Sequence, residues 1–219
     1  MYPTPAHLLC LVALLGQAWP AQAQTALSFE NAISLTLHSP VNVVVGREGE
    51  EVYIASAGTV FTGRGASAGL EVFDARGTLR WRDVYRADEC DYLAGAYVQW
   101  MDGDPPMLAY SVVPQDEQRL GAGRLLNARD GALISHTPNT SRFGNNNSLV
   151  ADLDADGRPE FLYADLSSIT SYEIPSMQRN WRLDTGVRFC WSLPALSTAP
   201  DVPPLIVFGS EYNNADHSS

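Results

Sequence analysis

Four short apolar runs recur along the chain: Val52-Tyr-Ile-Ala-Ser56, Met107-Leu-Ala-Tyr-Ser111, Phe161-Leu-Tyr-Ala-Asp165 and Leu205-Ile-Val-Phe-Gly209. Each is as long as a single strand, and no long window shows the competing period of a helix. Three of them are approached through acidic or Pro-rich segments: Asp102-Gly-Asp-Pro-Pro106, Asp152 to Glu160, and Asp201-Val-Pro-Pro204. A second unit follows each of the first three. The stretches from Glu71 to Trp81, Leu125 to Ser135 and Ser171 to Trp181 share one order: strand, tight turn, strand. The turns carry Gly or a Pro-Ser pair, which reads as a hairpin.

Run and hairpin together repeat about every 45 to 54 residues, the length of one four-stranded propeller blade. Pro and Gly punctuate the chain throughout, so the expected fold is an all-β propeller of four-stranded blades. The arithmetic gives three fairly complete blades and the start of a fourth. The tail from Ser210 to Ser219 is too short for another hairpin. A small four-bladed ring would close if Ala26-Leu-Ser-Phe29 and Val41-Asn-Val-Val-Val45 completed the last sheet. The favoured expectation is an incomplete propeller or a fragment of a larger ring, whose open edges and apolar faces would self-associate.

Trp81 and Trp181 stand at matched places in the repeat and are expected in the core. Each precedes a cysteine by the same interval, Cys90 and Cys190. Equivalent sites on non-adjacent blades need not lie within bridging distance, so one disulfide and two free thiols stay equally open.

The chemistry concentrates in residues 152–160, Asp-Leu-Asp-Ala-Asp-Gly-Arg-Pro-Glu. Asp152, Asp154 and Asp156 alternate in a loop whose sharp turn needs the positive φ that Gly157 permits. Such carboxylates repel one another without a counter-charge. A hard cation such as Ca²⁺ wants six to eight oxygens. Asp152, Asp154, Asp156 and Glu160, with the backbone carbonyl of Arg158, are the expected ligands. The loop is not an EF-hand: its twelfth position is Tyr163, where that motif needs a bidentate Glu, and a strand follows in place of a helix.

An Asp-x-Asp-x-Asp-Gly loop running straight into an apolar strand resembles the FG-GAP or VCBS repeat of calcium-binding β-propellers. Ser148-Leu-Val-Ala151 and Pro159 fit that likeness, which spans roughly residues 146 to 166. It implies a structural Ca²⁺ and a repeat-built ring, and rings of that kind usually have more blades than this chain would supply. The hairpin from Val72 to Trp81 is loosely similar to quinoprotein-type propellers, in which a Gly turn precedes a Trp packed between blades. No quinone cofactor is expected, because the adjacent cysteines that such dehydrogenases often carry are missing here.

Met1 to Ala23 reads as a secretory signal peptide. It has an apolar core, Leu8 to Leu15, a small-x-small site at Ala21-Gln22-Ala23, and no charged side chain before Glu30. The run is too short to span a bilayer, and Cys10 is not expected to carry a lipid. Residues 24–219 are then an exported β-propeller domain, secreted or periplasmic, with no membrane insertion. The net charge of −11 and pI near 4.6 make nucleic acid and anionic membranes poor partners. All 14 basic residues are Arg, a bias typical of GC-rich bacterial coding sequence, so the sequons at Asn139 and Asn146 carry no expectation of glycosylation.

Gly65-Ala-Ser-Ala-Gly69 matches the G-x-S-x-G pattern of a nucleophile elbow, but it is read as a flexible loop between two strands, without the helix that motif needs. His38, His136 and His217 have no catalytic or zinc-ligand spacing. Tyr85, Tyr92, Tyr97, Trp100, Trp191 and Tyr212 are better read as blade packing than as ligand platforms, and Asn145, Asn146 and Asn147 as turn caps. The expected function is a non-catalytic binding or interaction module for an unknown protein or carbohydrate ligand. The alternative is an exported carbohydrate-active enzyme, or the propeller portion of one.

Overall fold

The computed structural model describes residues 35, 37, 39–62, 65–85, 93–114, 122–138, 144–165, 168–184, 195–197 and 205–207. Every regular element among them is a β-strand. The first sheet runs β1 (Ser39–Glu48), β2 (Glu51–Thr62), β3 (Gly65–Asp74) and β4 (Leu79–Tyr85). The second runs β5 (Leu93–Met101), β6 (Met107–Pro114), β7 (Ala122–Asn127) and β8 (Leu133–His136). The third runs β9 (Gly144–Ala151), β10 (Glu160–Asp165), β11 (Ser168–Glu173) and β12 (Arg179–Asp184). All three are antiparallel meanders in chain order, and β13 (Ala195–Ser197) pairs with β14 (Leu205–Val207).

The four recurring apolar runs fall on β2, β6, β10 and β14, and the three hairpins are the third and fourth strands of each sheet. Their turns close alike. Asp74 and Thr78, Asn127 and Ala132, and Glu173 and Gln178 each share a backbone hydrogen bond from the first residue's amide, of 2.8 to 3.0 Å. The last turn residue is left-handed in all three: Gly77 (φ 78°), Gly131 (φ 76°) and Met177 (φ 54°). Met177 takes a conformation that costs an L-residue about 1–2 kcal/mol, and its side chain is buried where glycine would leave a void.

Side-chain alternation explains how the sheets stack. On β6, Leu108, Tyr110 and Val112 face the first sheet, meeting Tyr53, Ala55, Ala57, Leu70 and Val72. From the opposite side of the same sheet, Ala109 and Leu125 meet Phe161, Tyr163, Tyr172 and Ile174 of the third. β10 repeats the pattern, turning Leu162 away from the second sheet toward a cluster that includes Ile206 of β14. Strands covered on both faces must be apolar at nearly every position, which is why these runs do not alternate with polar residues. Each fully buried Leu or Phe contributes about 1.5–3 kcal/mol to this stack.

The first strand of each sheet makes the step to the next. β5 packs on β1, β2 and β3, and β9 packs on β5 and β6. Asn42 of β1 gives Nδ2 to the Val98 carbonyl at 2.7 Å and accepts the Val98 amide at 3.0 Å. Gln99 of β5 repeats the device, giving Nε2 to the Ser148 carbonyl at 3.0 Å and accepting the Val150 amide at 2.5 Å. At the outer edge, Trp81 of β4 donates Nε1 to the Ala128 carbonyl in the β7–β8 turn at 2.9 Å. A Cβ on Gly131 of that turn would lie 2.7 Å from the Trp81 ring, so only glycine lets the turn sit against the indole. One sheet later, Ser135 of β8 donates to the Pro175 carbonyl in the β11–β12 turn.

Several expectations are corrected by these placements. Trp181 is not core: it lies on exposed β12 at 39 % relative exposure, and no neighbouring turn among the described residues covers it as Ala128 and Gly131 cover Trp81. Residues 41–45 belong to β1, paired with β2, and cannot complete a last sheet. Gly65 to Gly69 is no loop but the start of β3, because β2 and β3 keep their ladder to the Thr62–Gly65 pair. Asn145, Asn146 and Asn147 lie within strand β9 and not in a turn. Trp100 packs on the first core cluster and against Tyr53, a packing residue as expected. Residues 1–23, Ala26 to Phe29, both Cys90 and Cys190, His38, His217, Tyr92, Trp191 and Tyr212 lie outside the described residues.

Polar groups reinforce the stack. Glu71 is fully buried and bonds Arg82 directly opposite on β4, with Nε at 2.9 Å. Glu48, in the β1–β2 turn region, reaches across to Arg129 of the β7–β8 turn, which also holds Asp104 at 2.8 Å. The Arg129 guanidinium, aided by the Tyr53 hydroxyl, keeps the Glu48 carboxyl below the usual carboxylate range. A carboxyl with a lowered folded pKa adds stability that is present above its unfolded pKa and disappears as pH falls through the lowered value. Arg129→Ala is therefore expected to lower the melting temperature at pH 7, with the deficit shrinking toward zero in acid. Melts of both proteins from pH 7 to 3 check this. The two tryptophans make the second prediction: Trp81→Ala should destabilise by about 3 kcal/mol, whereas Trp181→Ala should cost less than about 1 kcal/mol, read from urea denaturation.

Candidate metal centre

The acidic loop joins β9 to β10 and is shaped by its own amides. Asp152 accepts the Asp156 amide on Oδ1 at 3.1 Å and the Gly157 amide on Oδ2 at 2.9 Å. Asp154 Oδ1 also accepts the Asp156 amide, at 3.2 Å, and Asp156 Oδ1 accepts the Arg158 amide at 2.8 Å. Short carboxylate side chains thus replace the ladder bonds that the loop has left behind. Ala155 (φ 63°) and Gly157 (φ 87°) are both left-handed. Nothing lies within 4 Å of a Cβ built on Gly157, so the backbone conformation and not crowding calls for glycine there.

One carboxylate oxygen from each of Asp152, Asp154 and Asp156 lies within 4.8 Å of the other two. At that separation each pair of charges repels by about 1 kcal/mol even with water-like screening. Three of the five expected ligands are therefore brought together. Glu160 stands apart as the first residue of β10, buried at 8 % exposure, with Oε2 accepting the Leu153 amide at 2.7 Å. Burial pushes its carboxyl above the usual range; the Leu153 amide opposes that shift, and the charges of Asp154, Asp152 and Asp156 add to it. Arg158 is exposed at the end of the loop, tied by its amide to Asp156.

The chemistry of this donor set suits a hard divalent cation: carboxylate oxygens, clustered, partly exposed, on a loop already bent around them. Glu173 was not foreseen. It stands directly opposite Glu160 in the β10–β11 ladder and lines the same cavity, together with Trp181. The hairpin pairing visible in the sequence could have placed Glu173 there, had the register been read residue by residue.

Ser67 is buried within β3 opposite Val60, in a strand-to-strand setting and not the strand-to-helix setting of a nucleophile elbow. His136 bonds the Thr137 carbonyl through Nδ1 at 2.8 Å. Among the described residues, no helix is long and apolar enough to cross a membrane. No protein-family model matches the chain, and no curated protein matches it.

The position of Glu160 yields a test in calcium-free buffer. Glu160→Gln keeps an acceptor for the Leu153 amide and removes a buried charge facing three aspartates, so stability should hold or rise. Glu160→Ala orphans that amide and should cost about 1–3 kcal/mol. Urea denaturation of both variants in EDTA separates the two effects.

Proposed function

We propose that this chain is an exported, non-catalytic binding or interaction module built as a β-propeller, or part of one, with a structural Ca²⁺ site. Asp152, Asp154, Asp156, Glu160 and the Arg158 carbonyl are the proposed ligands. The observation that carries the reading is the convergence of the three aspartates on a loop that opens into β10, the strand of the third sheet covered on both faces. Like charges there raise the free energy of the folded chain, and a bound divalent cation offsets them, so metal binding becomes folding stability. The likeness of residues 146 to 166 to the FG-GAP or VCBS repeat supports the same assignment.

The ring is supported by regular repetition. Three four-stranded meanders follow one another, each opening with a strand that packs on the sheet before it, and β14 is seated on the far face of the third. Export, to the periplasm or beyond the cell, rests on the signal-like segment from Met1 to Ala23. The ligand would be a protein or a carbohydrate.

Thermal melts in EDTA and in millimolar Ca²⁺ test the metal site. At a hundredfold excess over Kd the cation should contribute about 2.7 kcal/mol, raising the melting temperature by roughly 5–10 °C. Asp154→Ala should abolish the difference. Melts that coincide for the wild-type chain in both buffers would contradict the assignment.

A further inference from the structure

We draw no further inference here: the strongest candidate, the cavity lined by Asp154, Asp156, Glu160, Glu173 and Trp181 between the acidic loop and the β11–β12 hairpin, is an acidic cluster whose buried member, Glu160, bonds the Leu153 amide and belongs to the metal site already described, so nothing independent in it points to a second ligand.

Discussion

Leu108, Tyr110 and Val112 point one way from β6, Met107 and Ala109 point the other, and both sets are covered. That double burial is the constraint from which the rest of the architecture follows. A strand buried on both faces cannot lie at the surface of a two-layer sandwich. It needs a sheet in front and another behind, so the three meanders must stack in series. β10 and β11 pass the same demand forward to β14 through Leu162 and Ile169. The polar devices between sheets, Asn42 on Val98, Gln99 on Ser148 and Val150, and Trp81 on Ala128, fix register and spacing within a stack that apolar burial drives.

The acidic loop sits where this stack turns from one strand to the next. Its backbone is already shaped by hydrogen bonds from the amides of Asp156, Gly157 and Arg158 to aspartate oxygens. Conformation and charge therefore oppose each other: the bonds that shape the loop draw together groups that repel. Glu160 carries the conflict into the buried end of β10, where its carboxylate meets desolvation and three neighbouring charges. A cation bound at this place, as proposed, would offset that repulsion.

The strand runs and hairpins were legible in the sequence because each depends on a local pattern. Gly77 and Gly131 announce their turns by residue type, and the run from Met107 to Ser111 is apolar throughout because both its faces are covered. The clustering of Asp152, Asp154 and Asp156 around the turn at Gly157 was legible for the same reason, as all four lie within a few residues. What depends on neighbours in space was not. Trp181 copies Trp81 in sequence, yet burial at that position is set by a turn from another sheet. Gly65 to Gly69 looks like a loop by composition, and only the continued ladder with β2 makes it strand. Glu173 gained its place in the cavity from register, which a run of residue types does not state.

Amide hydrogen exchange along the full chain, followed by mass spectrometry, tests the stacked arrangement most directly. If β6 is covered on both faces while β8 and β12 lie outermost, peptides from 107–112 should exchange slowest, at the rate of global unfolding. Peptides from 133–136 and 179–184 should exchange at least a hundredfold faster. Equal protection of β6 and β8 would contradict the account, because it would mean that the second sheet is not enclosed between the first and the third.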